Sequence, residues 1–439
     1  MHTARDPRHL LLTPLGRQQL LWGTIFRSWH LLRPLARLYR GLFLRRTRFA
    51  VVVGSYGKTT ATRATMAALD RPYVHHTGWN SRGFIPLGIL LTNRHAPYCV
   101  LEAGIREQGW MARYARLVRP DVVVATSIGS EHGRTLGTLE ETRDEKSKIL
   151  RDVPQDGLVV LNGDDENVRW MGTQTRARVV TVGLGEGNDV RASDIRIDRF
   201  PPRTRFRVHV DGRTHSTSTP LIGEGNVRSV LAAFAVAVHE GVPTAKALSA
   251  LEELRPAPER LQPLRTTSGV VLLLDTRKGA IETIEVGAEV LREMPAERKV
   301  AVLGDIEEPP GPQGPLYQRV AGRLASVVDL ILFVGGSTAY ASVATGAGKA
   351  GFPREKVLYA GRSTREAIAM LQGRVDAGDV VWIKGRSTQH LGRIGLALAG
   401  RNVTCDVTFC SHTPTCELCP MLERPTSRSF RSTSARRRS

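Results

Sequence analysis

No stretch of this 439-residue chain approaches the ~20 uninterrupted apolar residues that a helix needs to cross a bilayer. The nearest, Leu20 to Leu44, is broken by Arg27, Arg33, Arg37 and Arg40 and carries Pro34 near its middle. A cleavable signal pattern is also lacking, which makes the cytoplasm the default compartment. Acidic residues are scarce at both ends: residues 1–48 hold ten arginines against Asp6, and residues 420–439 hold six against Glu423. Those ends carry fourteen of the +20 net charges, so the body is only mildly basic and gives no charge argument for a nucleic-acid groove. Cysteine is rare, five residues in all, and four of them fall within fifteen positions near the C-terminus.

What is present is an ordinary apolar fraction of 41% on a chain long enough for two or three cores. Residues 48–60 read Arg-Phe-Ala-Val-Val-Val-Gly-Ser-Tyr-Gly-Lys-Thr-Thr. The β-branched run Val51–Val53 predicts a strand covered on both faces, leading into a glycine-rich turn. Gly54 and Gly57, with Ser55 between them, let backbone N–H groups approach an anion. Lys58 then reaches outer phosphates, the Thr59 hydroxyl completes a Mg²⁺ shell, and Thr60 follows in the first turn of a helix over Ala61 to Leu69. The pattern predicts nucleoside triphosphate binding. The loop is two residues shorter than the common G-x-x-x-x-G-K-[ST] form.

Apolar segments then alternate with helical ones, which predicts an α/β fold. A mostly parallel sheet takes Cys99–Glu102, Val122–Ala125 and Leu158–Leu161, with a small β-rich excursion at about 179–219. The Pro-rich segment Arg255-Pro-Ala-Pro-Glu-Arg260 reads as a linker to a smaller, Rossmann-like α/β unit with strands at Val270–Leu274, Val300–Leu303, Leu330–Val334 and Val380–Ile383. The expected organisation is a basic amphipathic segment over 1–47, an ATP-binding domain over 48–262, the second α/β domain over 263–402, a cysteine cluster over 403–420, and an Arg/Ser-rich tail over 421–439. The first of these reads as one or two short helices carrying Trp22, Phe26, Trp29 and Tyr39 among its leucines; it suits either an anionic membrane surface or packing on the body of the protein or another subunit, and Pro34 is expected to limit any continuous amphipathic face.

Three groups fall at the carboxyl side of the first sheet. Glu102 ends a strand before Ala-Gly, His132 lies in Thr126-Ser-Ile-Gly-Ser-Glu-His, and Lys146 lies in the helical stretch 139–150. Glutamate and histidine ligate divalent ions; lysine does so once CO₂ has converted its ammonium into a carbamate. Cys405, Cys410, Cys416 and Cys419 are candidate ligands for Zn²⁺ or an iron–sulfur cluster, although their spacing follows no standard zinc signature, and an oxidisable tail is the alternative.

The loop Gly-Ser-Tyr-Gly-Lys-Thr-Thr, the Leu-Glu-Ala-Gly turn and the segment from Thr126 through Glu145-Lys-Ser-Lys-Ile together resemble the Mur ligases, most closely the branch that adds D-alanyl-D-alanine. Asn80-Ser-Arg-Gly83, Asn162-Gly-Asp-Asp165, Gly223-Glu-Gly-Asn226, Arg260, Asp275, Leu303-Gly-Asp305 and Lys384-Gly385 extend the likeness across about 48–402. The resemblance implies an ATP- and Mg²⁺-dependent ligase that activates a carboxylate as an acyl phosphate for attack by an amine, in cell-wall or γ-glutamyl polymer synthesis. It implies that Lys58 holds the β/γ phosphates and that Thr59 and Glu102 bind one Mg²⁺. His132 and carbamylated Lys146 bind a second, Asn226 meets the adenine, and Arg260 with Asp275 reaches the nucleotide from the second domain.

Departures from the pattern leave both substrates open. Only 47 residues precede Arg48, where the family carries a domain for a uridine nucleotide. Gly225 replaces a histidine, and Asp275-Thr-Arg-Lys-Gly-Ala-Ile281 replaces Asp-Ser-Tyr-Asn-Ala-Asn-Pro, so Arg277 and Lys278 either grip an anion or face solvent. A nucleotide-binding regulatory protein without ligase chemistry is the alternative reading.

Overall fold

The computed structural model describes residues 14–72, 74, 79–130, 133–309, 311–410 and 415–423. It divides into two compact units, one spanning Leu21–Asp198 and Pro202–Ala257, the other taking in the residues up to Leu20, Arg199–Pro201 and those from Pro258 on. The main boundary falls inside the Pro-rich linker.

The first unit is built on an eight-stranded sheet. Its strands are β1 (Arg48–Val53), β2 (Tyr98–Glu102), β3 (Val122–Ala125), β4 (Leu158–Asn162), β5 (Arg178–Gly183), β6 (Val190–Ile197), β7 (Thr204–Val210) and β8 (Arg213–Thr219). Their order is β2-β1-β3-β4-β5-β6-β7-β8. Pairing is parallel from β2 through β6 and antiparallel from β6 to β8. The β-rich excursion is thus an extension of the same sheet. In β1, Phe49, Val51 and Val53 enter the core on one face, while Ala50 and Val52 enter the core on the other. That two-sided burial is why the strand reads as a continuous apolar run.

Helices α1 (Pro14–Arg27), α2 (Trp29–Phe43), α3 (Lys58–Ala68), α4 (Phe84–Leu90), α5 (Trp110–Val118), α6 (Gly133–Leu136), α7 (Leu139–Ser147), α8 (Glu166–Met171), α9 (Glu224–His239) and α10 (Thr244–Glu252) precede the second unit. Helix α9 is buried along most of its length because Val227, Val230, Leu231, Phe234 and a run of alanines share one core with Ala61 and Ala64 of α3. A capping box fixes the start of α7: the Thr138 hydroxyl accepts from the Glu141 amide, and the Glu141 carboxylate accepts from the Thr138 amide.

Helix α2 corrects the expectation drawn from Pro34. The helix runs unbroken through it, and the chain bends instead at Ser28. Pro34 and His30 are both exposed, so water can serve the His30 carbonyl that Pro34 leaves without an amide partner. Trp29 and Ala36 are buried, and the Tyr39 hydroxyl donates to the Thr92 carbonyl at 2.9 Å. The guanidinium of Arg40 lies 4.5 Å over the Phe49 ring and donates to the Arg119 carbonyl, so this arginine is part of the packing.

The second unit holds strands β9 (Gln262–Arg265), β10 (Val271–Asp275), β11 (Lys299–Gly304), β12 (Leu330–Val334), β13 (Val357–Tyr359) and β14 (Val380–Lys384), in the order β13-β12-β11-β14-β10-β9. All pairs are parallel except β9 with β10. Helices α11 (Ile281–Glu293), α12 (Gln313–Ala325), α13 (Ser337–Lys349), α14 (Thr364–Leu371) and α15 (Gly392–Leu398) accompany them. Both units are doubly wound α/β layers, as the alternating sequence predicts.

Candidate active site

The chain leaves β1 toward β2 on one side and then crosses to β3 on the other, so the carboxyl end of β1 is a switch point of the sheet, where open α/β folds bind ligands. Gly54 and Gly57 make the turn there. Gly54 has φ +146°, and a Cβ on it would stand 2.1 Å from Thr126 Oγ1. Gly57 has φ +83° and precedes α3 without a side-chain cap, so the helix presents its first amides to the loop.

The segment after β3 braces the loop. The Ser55 amide donates to the Ser127 carbonyl at 2.8 Å and the Tyr56 amide to Ser127 Oγ at 2.9 Å, while Thr126 Oγ1 donates to the Tyr56 carbonyl at 2.6 Å. Asn162 Nδ2 holds the Thr126 carbonyl at 3.0 Å, and the Asp165 carboxylate accepts from the Ile128 amide while capping α8. These bonds give the Thr-Ser-Ile-Gly and Asn-Gly-Asp-Asp segments their role: they hold a turn that has few side chains of its own.

Four expected site residues meet at this turn. Lys58 is buried, and its ammonium donates to the carbonyls of Gly54 at 2.8 Å and Ser55 at 3.0 Å, folding over the turn it is expected to serve. The Thr59 hydroxyl donates to Glu102 Oε2 at 2.8 Å. Glu102 is buried at the end of β2, and its other oxygen accepts from Asn80 Nδ2 at 2.7 Å. Lys146, on α7 and also buried, donates to Ser55 Oγ at 2.8 Å. The neighbouring Glu145 accepts from the Met111 amide and from Lys148, pinning α7 against the start of α5. Thr60 is buried in α3. His132 lies outside the described residues.

Asn226 sits in the first turn of α9, where its Nδ2 donates to the Ile222 carbonyl at 2.9 Å. Two residues on, Arg228 meets Asp164 at 2.7 Å. Burial raises the Asp164 pKa, but the Leu184 and Gly185 amides and Arg228 outweigh it, and the carboxyl lies below its ordinary value.

Arg260 and Asp275 belong to the second unit. Asp275 ends β10 beside Lys384 at the end of β14, and the two side chains form a buried ion pair at 2.7 Å. Burial lowers the Lys384 pKa, against the attraction of Asp275. Arg277 is only partly exposed, in the segment preceding α11; burial lowers its pKa and Arg260 lowers it further, while Glu259 pulls the other way. Glu259 is buried, and burial raises its pKa above the usual 4.5 despite Arg277. Arg277 thus lies among other charged groups, Arg260 and Glu259.

The described cysteines of the C-terminal segment have protein neighbours. Cys405 Sγ accepts from the buried guanidinium of Arg393 at 3.3 Å, and Cys416 Sγ lies 3.4 Å from His390 Nδ1. Cys416 packs with Leu396 and Leu422, and burial pushes the Cys416 and Cys419 thiols up, toward the protonated form. The Cys410 amide donates to the Thr388 carbonyl. Among the described residues no three Cys, His, Asp or Glu side chains are grouped as a metal site. Cys99 is a core residue of β2, its thiol pushed up to about 12 by burial.

Two family profiles cover these two units in turn: "Mur ligase middle domain" matches residues 52–237, and "Mur ligase, glutamate ligase domain" matches residues 259–387. The chain belongs to the Mur ligases. The UDP-N-acetylmuramoyl-tripeptide–D-alanyl-D-alanine ligase of Bacillus subtilis is 29% identical over 266 residues, which are 60% of this chain and 57% of that one. The enzyme of the same name from Mycobacterium tuberculosis is 28% identical over 370 residues, 79% of this chain and 72% of its own. Among solved structures, the MurF ligase of Thermotoga maritima in complex with ADP superposes with a TM-score of 0.71 at 22% identity, covering 85% of this chain and 83% of that one. This Mur ligase chain therefore spans a little over half the length of the Bacillus relative and nearly three quarters of the mycobacterial one.

Asn80, Ser127 and Asp165 join the site of the first unit, and Lys384 joins Asp275 in the second, without having been singled out as site residues. Each lies in a segment that carries the family likeness, and its bonds supply the role.

Proposed function

We propose that this Mur ligase chain is an ATP-dependent ligase that activates a carboxylate as an acyl phosphate and joins it to an amine. The carrying observation is the chain of bonds from Thr59 through Glu102 to Asn80, at 2.8 Å and 2.7 Å, at the mouth of the phosphate loop. A buried carboxylate on the loop threonine suits Mg²⁺ beside the outer phosphates, and the buried Lys146 on Ser55 adds a second group there that a nucleotide-binding turn alone does not call for. The hydroxyl of Thr59 and the carboxylate of Glu102 are hard oxygen donors that fit Mg²⁺, and the uncapped first amides of α3 after Gly57 suit a polyphosphate. When bound, the metal would neutralise the developing charge on the transferring phosphoryl group.

The protein's own residues do the rest. Lys58 would exchange the Gly54 and Ser55 carbonyls for phosphate oxygens, and the amides of α3 would face the same anion. Asn80 fixes the orientation of Glu102. Lys146 would act next to Ser55, as an ammonium or as a carbamate facing a second ion with His132. Asn226 would meet the base, and Arg260, Arg277 and the Asp275–Lys384 pair would serve the nucleotide or an anionic substrate. The acceptor then attacks the acyl carbon, and phosphate leaves from the tetrahedral intermediate.

The names of the relatives point to a muramoyl tripeptide as acid and D-alanyl-D-alanine as amine. The test is phosphate release from ATP with these two substrates together and with each alone, and mass spectrometry of the product. Release that needs both, matched by one new amide per phosphate, is expected. Release indifferent to both, or ATP binding with no release under any acid–amine pair, overturns the ligase reading in favour of a regulatory nucleotide site.

A further inference from the structure

A cavity of about 310 Å³ opens between α2 and α5, lined by Trp29, His30, Arg33, Arg113 and Arg116. It lies wholly within the first unit and uses no residue of the phosphate loop. Its volume falls at the lower end of the range of about 300–1,000 Å³ in which small-molecule sites lie. Trp29 and Arg33 stand one turn apart on α2, and Arg113 and Arg116 one turn apart on α5, so each helix sends a row of side chains to the same space.

The charge of that space is one-sided. Three guanidiniums and an imidazole converge there, and no carboxylate is in the lining. Neither helix has an aspartate or glutamate anywhere along its length. Glu107, three residues before α5, is paired with Arg82 at 2.8 Å, and Asp121, three residues after it, accepts from the Phe49 amide at 2.7 Å. The cavity also lies at the start of α2, where the Ser28 hydroxyl turns back to the Thr24 carbonyl at 2.7 Å and makes no cap. The positive end of the helix dipole therefore adds to the arginines, with no acid in the first turn to offset it. Like charges gathered in this way repel one another, and an anion held between them replaces the repulsion by attraction.

The walls are set by rings and backbone. Trp29, 3% exposed, meets the Trp110 ring edge-on at 5.2 Å and the Tyr114 ring at 5.7 Å. The Arg113 guanidinium lies 4.8 Å over the Trp110 ring, and Arg116 Nε donates to the Ala112 carbonyl at 3.2 Å. Two of the three guanidiniums are thus placed before a ligand arrives, which lowers the cost of ordering them on binding.

We propose that this cavity binds a small soluble molecule through a diphosphate group. Guanidinium meets phosphate oxygens two at a time, and three fixed positive charges suit a diphosphate better than a single carboxylate. A lipid headgroup suits the cavity less well. The exposed Leu31, Leu35 and Leu38 lie on the opposite side of α2 from Trp29 and Arg33, so a bilayer seated on them would leave the cavity facing away. The site is separate from the phosphate loop, so it stands or falls separately from the ligase reading.

The test is calorimetric titration of the full chain with inorganic pyrophosphate in metal-free buffer. Two classes of site are expected. One is weakened at least about tenfold by Lys58→Ala; the other survives that change and is weakened at least about tenfold by Arg33→Gln with Arg116→Gln. Both arginines are exposed, so the neutral variant keeps the fold. Arg45→Gln with Arg46→Gln removes the same charge beyond the far end of α2 and should leave both classes as in wild type. A single class lost only in the Arg33–Arg116 variant supports the cavity and counts against the phosphate loop. Absence of pyrophosphate binding overturns the proposal, as does binding abolished by Lys58→Ala alone. An equal loss from the two arginine pairs assigns the effect to diffuse basic charge and rejects the site. Displacement of pyrophosphate from the second class by vesicles containing phosphatidylglycerol assigns the cavity to a lipid headgroup and rejects the soluble ligand.

Discussion

The ammonium of Lys146 lies 2.8 Å from the hydroxyl of Ser55, a residue ninety-one positions earlier in the chain. That one bond joins the helix after the third strand to the phosphate loop. The same hydroxyl accepts from the Gly129 amide at 2.8 Å, so the lysine is anchored at a point the backbone also holds. Lys146→Ala should lower turnover by at least about a hundredfold while ATP affinity changes only a few-fold, because the lysine lies beside the loop and not among its amides. Isotope-labelled bicarbonate distinguishes its two chemical forms: a carbamate resonance in wild type and none in the alanine variant supports the metal-ligand role. Full turnover by Lys146→Ala rejects any catalytic part for the residue.

Gly54 tests whether the loop geometry is needed. An alanine there would have to accept φ +146° and a Cβ 2.1 Å from Thr126 Oγ1, so the turn must move. The expected outcome for Gly54→Ala is a loss of nucleotide affinity of about tenfold or more, with the unfolding midpoint lowered by a few degrees. Unaltered affinity by calorimetry would mean that the phosphates are held elsewhere.

Thr59 separates hydroxyl from shape. Thr59→Val keeps the volume but leaves Glu102 without the donor now at 2.8 Å. Thr59→Ser keeps the hydroxyl. The valine variant should need much more Mg²⁺ for half-maximal ATP turnover, with the serine variant near wild type. Equal Mg²⁺ dependence in all three would remove Thr59 from the metal site.

The first unit was legible where local pattern and spatial role coincide. The apolar run Val51–Val53 forms a strand buried on both faces, and the glycines after it turn where the sheet switches direction. Glu102 and Lys146 were legible through family likeness, since a buried acid and a buried lysine have no periodic signature. Their partners Asn80 and Ser55 come from distant loops, a relation that only folding creates. Pro34 misled because the cost of a helical proline depends on whether the carbonyl it strands is wet, and composition does not say which side of α2 faces water. The neighbours of the cysteines were likewise not legible. Burial beside Arg393 and His390 gives these thiols hydrogen-bonding neighbours that spacing along the chain does not reveal.

In the second unit, Lys384 and Asp275 end adjacent parallel strands, and the lysine has no exposure at all. Removing one partner leaves the other charge buried alone, at a cost of about 3–5 kcal/mol. Lys384→Met should therefore lower the unfolding midpoint by roughly 10 °C, and adding Asp275→Asn should restore part of it. If the double variant is no more stable than the single one, the pair is not the source of the loss. The same single change should raise KM for ATP or for an anionic substrate if the pair serves ligand binding.

Glu259 supplies a pH dependence with a definite sign. Burial raises its pKa above 4.5 in the folded state, with Arg277 only partly offsetting the effect. The folded protein therefore favours the neutral acid. The stability this contributes is fully present below the unfolded value of about 4.3 and is lost as pH rises through the higher folded value. Glu259→Gln keeps a neutral side chain of the same shape at every pH and has no such loss. The difference in unfolding midpoint, variant minus wild type, should therefore grow more positive from about pH 4.5 to pH 7. Taking the difference removes the other carboxylates, which titrate alike in both proteins. A constant difference across that window would mean that Glu259 titrates at its ordinary value, and that Arg277 and the Cys416 amide hold it ionised as readily as water does.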